Sequence, residues 1–228
     1  MKKFSFITIC ILAVLSLASC LKDDDTEPVP VSIVSIWNFY NHPSSVYYEA
    51  GGRLIDRYDG RYKGYTSFMA IPGNKKIKVS RETDNKVLVD TTLTFVDTIS
   101  YSTFVFGELD QAKYFRVNDV GVEDLGTKTG VRFLHLATGI GKVNFQIGDQ
   151  TIEGITDRIQ ENESTTTESQ KFRISNSGNF TITATDEKGK ELVKRENINL
   201  KEGTYMNFVL VGTKENTNFP LQLLYTIY

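Results

Sequence analysis

Between Ile55 and Phe68 the chain reads IDRYDGRYKGYTSF, and Tyr58, Tyr62 and Tyr65 recur there among Arg57, Arg61 and Lys63. A tyrosine offers a flat apolar face with a hydroxyl at its rim, and a neighbouring cation can hydrogen-bond sugar hydroxyls or acidic groups. Such a segment suits recognition of a glycan or a peptide. Tyr58, Arg61, Tyr62 and Tyr65 are the candidate ligand-binding residues. Tyr47 joins them because it is opposite in phase to Val46 and Tyr48, so the three cannot share one strand face. Tyr40 and Trp37 extend this patch, unless Trp37 belongs to the core.

Other chemistry is sparse. His135 shares a strand face with Val131 and Phe133, which reads as a core or boundary histidine bonded to backbone. His42 stands before Pro43 in a turn. Neither has a serine or cysteine arrangement of recognisable type near it, and nucleophilic catalysis needs a nucleophile, a base and an orienting group. Asp56-x-x-Asp59-Gly60 and Thr83-Asp84-Asn85 do not complete the oxygen-ligand loop of a calcium site, and the histidines and cysteines are too few for a zinc cluster. The expectation is therefore no enzyme, no metal and no cofactor. Ser164 to Ser169, with Thr165 to Thr167, read as a solvated loop.

The N-terminus sets location. Lys2 and Lys3 precede a mostly apolar run from Phe4 to Ala18, which is shorter than the roughly 20 residues that span a bilayer and ends in small residues. This is the pattern of a secretory signal peptide, residues 1–19. Leu17-Ala18-Ser19-Cys20 resembles the lipobox of bacterial lipoproteins, which implies lipidation of Cys20. Cys10 is discarded with the leader, so the remaining thiol has no internal disulfide partner. Lys22-Asp23-Asp24 resembles the short signal by which Bacteroidetes-type lipoproteins reach the outer face of the outer membrane. Residues 20–31, with Pro28 and Pro30, form an extended tether. The expected location is the outer membrane, lipid-anchored and facing the cell exterior.

Of 26 basic side chains, removal of Lys2 and Lys3 leaves 24 against 28 acidic ones, a formal charge of −4. A mildly acidic chain without a basic stripe lacks the electrostatic footprint of a nucleic-acid binder.

The rest of the chain repeats itself. VSIWNFYNHPSSVYYEAG from Val34 aligns without a gap on VRFLHLATGIGKVNFQIG from Val131, and FVFG from Phe104 aligns on VLVG from Val209. The second copy carries a longer connection, IQENESTTTES, after its second strand. Within each copy the period is two: Val143, Phe145 and Ile147 alternate with Asn144 and Gln146, and turn residues such as Asn176-Ser177-Gly178-Asn179 separate the runs. FVLV at Phe208 to Val211 is apolar on both faces, as in a fully buried strand. The fold expected is all-β, two tandem immunoglobulin-like β-sandwich domains at residues 32–118 and 130–228, with a linker at 119–129.

The segments VRFLHLA, KVNFQIGD and TYMNFVLVG, and their counterparts VSIWNFY, SVYYEAGG and SYSTFVFG, resemble the domain-of-unknown-function 4397 family. Asn38 stands where that family shows histidine, and Ser45 and Lys142 stand where it tends to show an acid. The resemblance implies exported sandwich modules without assigned chemistry. It also offers a framework role for the aromatics before the Ile71-Pro72-Gly73 turn. The functional expectation is a binding module for an extracellular glycan or protein, acting through the first copy. The competing one is a structural or adhesive subunit.

Overall fold

The protein is described by a computed structural model over residues 29–55 and 60–227. The leader, Cys20, the Lys22, Asp23 and Asp24 signal, and Tyr58 lie outside the described residues. Within them no helix is long and apolar enough to cross a membrane.

The chain runs through β1 (Ser32–Asn41), β2 (Val46–Ala50), β3 (Arg53–Leu54), β4 (Tyr65–Ala70), β5 (Gly73–Arg81), β6 (Val87–Phe95), β7 (Tyr101–Glu108) and β8 (Gln111–Asn118). These form two sheets, ordered β4-β1-β7-β8 and β3-β2-β5-β6. After residues 119–127 follow β9 (Lys128–His135), β10 (Val143–Ile147), β11 (Arg173–Asn176), β12 (Gly178–Asp186), β13 (Glu191–Leu200), β14 (Tyr205–Val211) and β15 (Gln222–Ile227). Their sheets are β11-β9-β14-β15 and β10-β12-β13. The two halves pair in the same sense. β1 lies antiparallel to β4 and parallel to β7, and β9 lies antiparallel to β11 and parallel to β14. A two-residue period is silent on pairing sense, so these parallel pairs emerge only in the fold.

Each half closes over its own core. Val34, Ile36, Val46, Tyr48, Ile77, Val79 and Phe95 fill the first. Val131, Phe133, Val143, Phe145, Ile147, Ile182 and Phe208 fill the second, where the Phe133 ring lies 4.8 Å from Phe145 and 5.2 Å from Phe208. Full burial of such a side chain contributes about 1.5–3 kcal/mol. Gly107, the last residue but one of β7, and Gly212, which follows β14, have φ of 105° and 90°, and a Cβ there would sit 2.3 Å from the Gln111 carbonyl oxygen or 2.2 Å from that of Pro220. Only glycine fits both conditions.

A third apolar cluster joins the halves. Phe39, Phe104, Phe106, Phe115 and Val117 of the first pack with Leu134, Leu136, Val209 and Val211 of the second. This explains why β7 and β14 are buried on both faces: one face meets its own core and the other meets the neighbouring sandwich.

Polar groups close the same contact. Arg132, 1% exposed, donates from Nη2 to Asp119 Oδ1 at 2.5 Å and from Nε to Asn207 Oδ1 at 2.9 Å, and its guanidinium lies 4.4 Å from the centre of the Phe172 ring. The other Asp119 oxygen accepts from Ser102 Oγ on β7 at 2.8 Å. The segment between the halves thus ties β7 to β9.

The long connection in the second half is anchored, where a solvated loop was expected. Buried Glu161 accepts from Arg158 Nη2 at 2.7 Å, from Thr165 Oγ1 at 2.5 Å, from Ser169 Oγ, and from the His135 backbone N–H at 3.1 Å. Ser169 itself is fully buried. A buried carboxylate is tolerated only when its lone pairs are satisfied, and these donors satisfy it.

Removing one partner of a buried ion pair strands the other. Arg132→Ala is expected to lower unfolding stability by about 3–5 kcal/mol, read as a drop in the urea midpoint.

Candidate functional site

On β1, Ile33, Ser35 and Trp37 alternate with the core residues Val34 and Ile36, so they face away from the first core. Register places Trp37 between Tyr65 of β4 and Phe104 of β7. The Trp37 and Tyr65 rings stack at 4.6 Å between centroids and 20° between planes, and Phe39 lies 6.2 Å along the same row. Tyr65 remains 52% exposed.

Asn38 delivers the neighbouring loop. Its Nδ2 donates to the Gly60 carbonyl at 2.7 Å, while its Oδ1 accepts from the Tyr40 N–H at 3.0 Å. Its backbone exchanges bonds with Lys63 at 2.7 Å and Gly64 at 2.9 Å. Gly60 is required, because a Cβ there would lie 1.5 Å from the Val46 carbonyl oxygen. The result holds Lys63 beside the aromatic row.

The second sandwich supplies the facing wall. Leu224, Tyr225 and Thr226 of β15, Val209 of β14 and Arg195 of β13 meet Trp37, Phe39, Phe104 and Lys63 around a cleft of about 440 Å³. Lys63 Nζ donates across it to Gln222 Oε1 at 2.5 Å. The Arg195 guanidinium lies 5.9 Å from the Tyr225 ring centre. Two polar atoms in the walls, Trp37 Nε1 and Thr226 Oγ1, are buried without a hydrogen-bond partner among the described residues. An indole N–H left in this state costs free energy. The cleft can therefore stack apolar faces, donate hydrogen bonds and neutralise negative charge.

The sequence candidates are only partly brought together. Tyr65 is in the aromatic row. The Tyr62 ring packs edge-on against Phe219 of the second half at 4.9 Å, and its hydroxyl is buried, which pushes its pKa up to about 12. It is a joint between the sandwiches, where an exposed platform was expected. Arg61 is exposed and does not line the cleft. Tyr47 stands on β2, in the other sheet, and its hydroxyl donates to Asn85 Oδ1 at 3.0 Å. The cleft also draws on both halves, where the first alone was expected to act. Arg195, Tyr225 and Thr226 were missed because no local pattern links them to a segment more than 100 residues earlier.

His135 is fully buried, with Nε2 3.1 Å from the Gly141 carbonyl oxygen. A carbonyl only accepts, so Nε2 carries the proton and Nδ1 is left as an unpaired acceptor. Burial, with the charge of Arg158 adding to it, pulls the pKa down to about 4. The ring is neutral and structural at pH 7. Among the described residues no group of three or more His, Cys, Asp or Glu could hold a metal ion.

Residues 34–146 match the family described as "Domain of unknown function (DUF4397)", a span covering the first sandwich, β9 and most of β10. No curated protein matches the chain. Among solved structures the chain is similar to the "Crystal structure of CBMbc (family CBM26) from Eubacterium rectale Amy13K in Complex with Maltoheptaose". The identity is 11%, the coverage 87% of this chain and 96% of that one, and the TM-score 0.27.

The buried histidine makes stability pH-dependent. Its folded pKa is below the unfolded value of 6.5, so its contribution is full above pH 6.5 and is lost as pH falls toward 4. The loss is on the order of 3 kcal/mol. His135→Asn, which copies Asn38 at the matching position of the first half, should flatten urea midpoints measured between pH 7 and pH 4.

Proposed function

We propose that this chain, which belongs over residues 34–146 to the DUF4397 family, is a non-catalytic surface module that binds an extracellular glycan in the cleft between its two sandwiches. The carrying observation is the stacked Trp37–Tyr65 pair, half open to solvent, beside two cations and an unsatisfied indole N–H. Sugar rings present C–H faces that pack on aromatic faces, and their hydroxyls need donors and acceptors around the rim. Proteins with a deep catalytic pocket gather titratable groups into it. Among the described residues this cleft gathers no Asp, Glu, His or Cys.

The location proposed is the outer membrane, facing the exterior, on a lipid at Cys20, with Lys22, Asp23 and Asp24 as the export signal. Support comes from the leader, the small residues before Cys20 and the Pro-containing tether. The eleven residues after Cys20, Leu21 to Val31, at about 3.3 Å each would carry the sandwiches up to roughly 35 Å from the lipid.

A second reading, a structural or adhesive subunit, is favoured by one feature. The edge strand β4 is flanked by exposed Ile33, Met69 and Ile71, and such an edge can accept a strand from another protein.

Two outcomes are expected. Cys20→Ala should move the protein from the membrane to the soluble fraction, because a lipid contributes about 0.8 kcal/mol per buried methylene. In a glycan and matrix-protein binding screen with residues 21–228, Tyr65→Ala should weaken glycan binding about tenfold while leaving the melting temperature nearly unchanged. Binding to protein but to no glycan, lost when Met69 is replaced by lysine, would move the assignment to the adhesive subunit.

A further inference from the structure

The cleft has a sign. Lys63 and Arg195 both line it, and no Asp or Glu does. Every ion pair among the described residues uses other cations, so neither has a carboxylate partner there. Arg195 is flanked in sequence by Lys194 and Glu196, which pair with each other at 2.9 Å and leave the guanidinium beside Tyr225. The whole chain is net acidic, at −2. Two cations without a carboxylate partner among the described residues, at one aromatic cleft of an acidic protein, form a local field that favours an anion.

Geometry narrows the anion. Lys63 already gives one donor to the neutral oxygen of Gln222 and keeps two, while Arg195 presents its planar fork at the rim. A guanidinium fork matches a planar carboxylate in bidentate fashion. The aromatic row calls for a ring with an apolar face, and the remaining donors of Lys63 and Arg195 call for oxygens around it. From these we infer that the cleft takes a carboxylate-bearing saccharide, with the acid group on Arg195 and Lys63 and the pyranose face against Trp37, which Tyr65 backs. This rests on the glycan reading above and specifies its ligand class.

The test pairs uronic-acid and sialic-acid oligosaccharides with their methyl esters, titrated against residues 21–228 by calorimetry. An acid is expected to bind about ten- to a hundredfold tighter than its own ester, the worth of a charge-assisted hydrogen bond. The gap should shrink as salt rises from about 0.05 M to about 0.5 M. Arg195→Gln should narrow the gap between acid and ester, with the melting temperature unchanged because Arg195 is exposed, and Arg195→Gln combined with Lys63→Gln should close it. Equal affinity of the unaltered protein for acid and ester, or a double variant that still prefers the acid, overturns the inference while the glycan reading stands. Neutral glycans binding where no acid does has the same effect. If no saccharide of either kind binds, the glycan reading falls and takes this inference with it.

Discussion

The outer face of the sheet β4-β1-β7-β8 is too aromatic to remain in water. Phe39, Phe104, Phe106 and Phe115 point away from the first core, and they are buried because Leu134, Leu136, Val209 and Val211 cover them. Each side chain so buried contributes about 1.5–3 kcal/mol, so the two sandwiches are held face to face. The cleft follows from this contact. At the β15 side the cover is incomplete, and Tyr225 stays partly exposed in the opening, while Tyr65 stacks on Trp37 at its margin.

Apolar contact alone does not choose one registration of two sheets, since such surfaces can slide with modest loss. The buried polar groups restrict the choice. Arg132 satisfies Asp119, Asn207 and the carbonyl of Asn118 only in one placement, and Asn41 reaches across to Thr213 at 2.9 Å. Within each half, Asn38 and His135 occupy matching positions on the first strand, and each binds the carbonyl of a loop glycine, Gly60 or Gly141. Different side chains therefore perform one task, fixing the loop that follows. In the first half that loop carries Lys63 into the cleft.

A site whose walls come from both sandwiches couples binding to their association. A ligand that contacts Trp37 and Tyr225 together binds only the docked arrangement, and so stabilises it. Lys63 bonded to Gln222 already bridges the opening.

By itself the sequence determined what depends on local pattern. Alternation along Val143 to Ile147 made strands, and recurring apolar segments, with Gly107 and Gly212 in step, announced two similar halves. It also singled out Tyr65 and its cationic neighbours, because aromatics among charges stand out in composition. The tertiary structure decided which of them meet. Tyr47 fell on another sheet, Tyr62 became a joint against Phe219, and Arg195 and Tyr225 were carried to Trp37 from across the chain. The physical reason is that a strand's period assigns a residue to a face, whereas the partner of that face is set by packing between sheets, for which the linear order of residues holds no local signal.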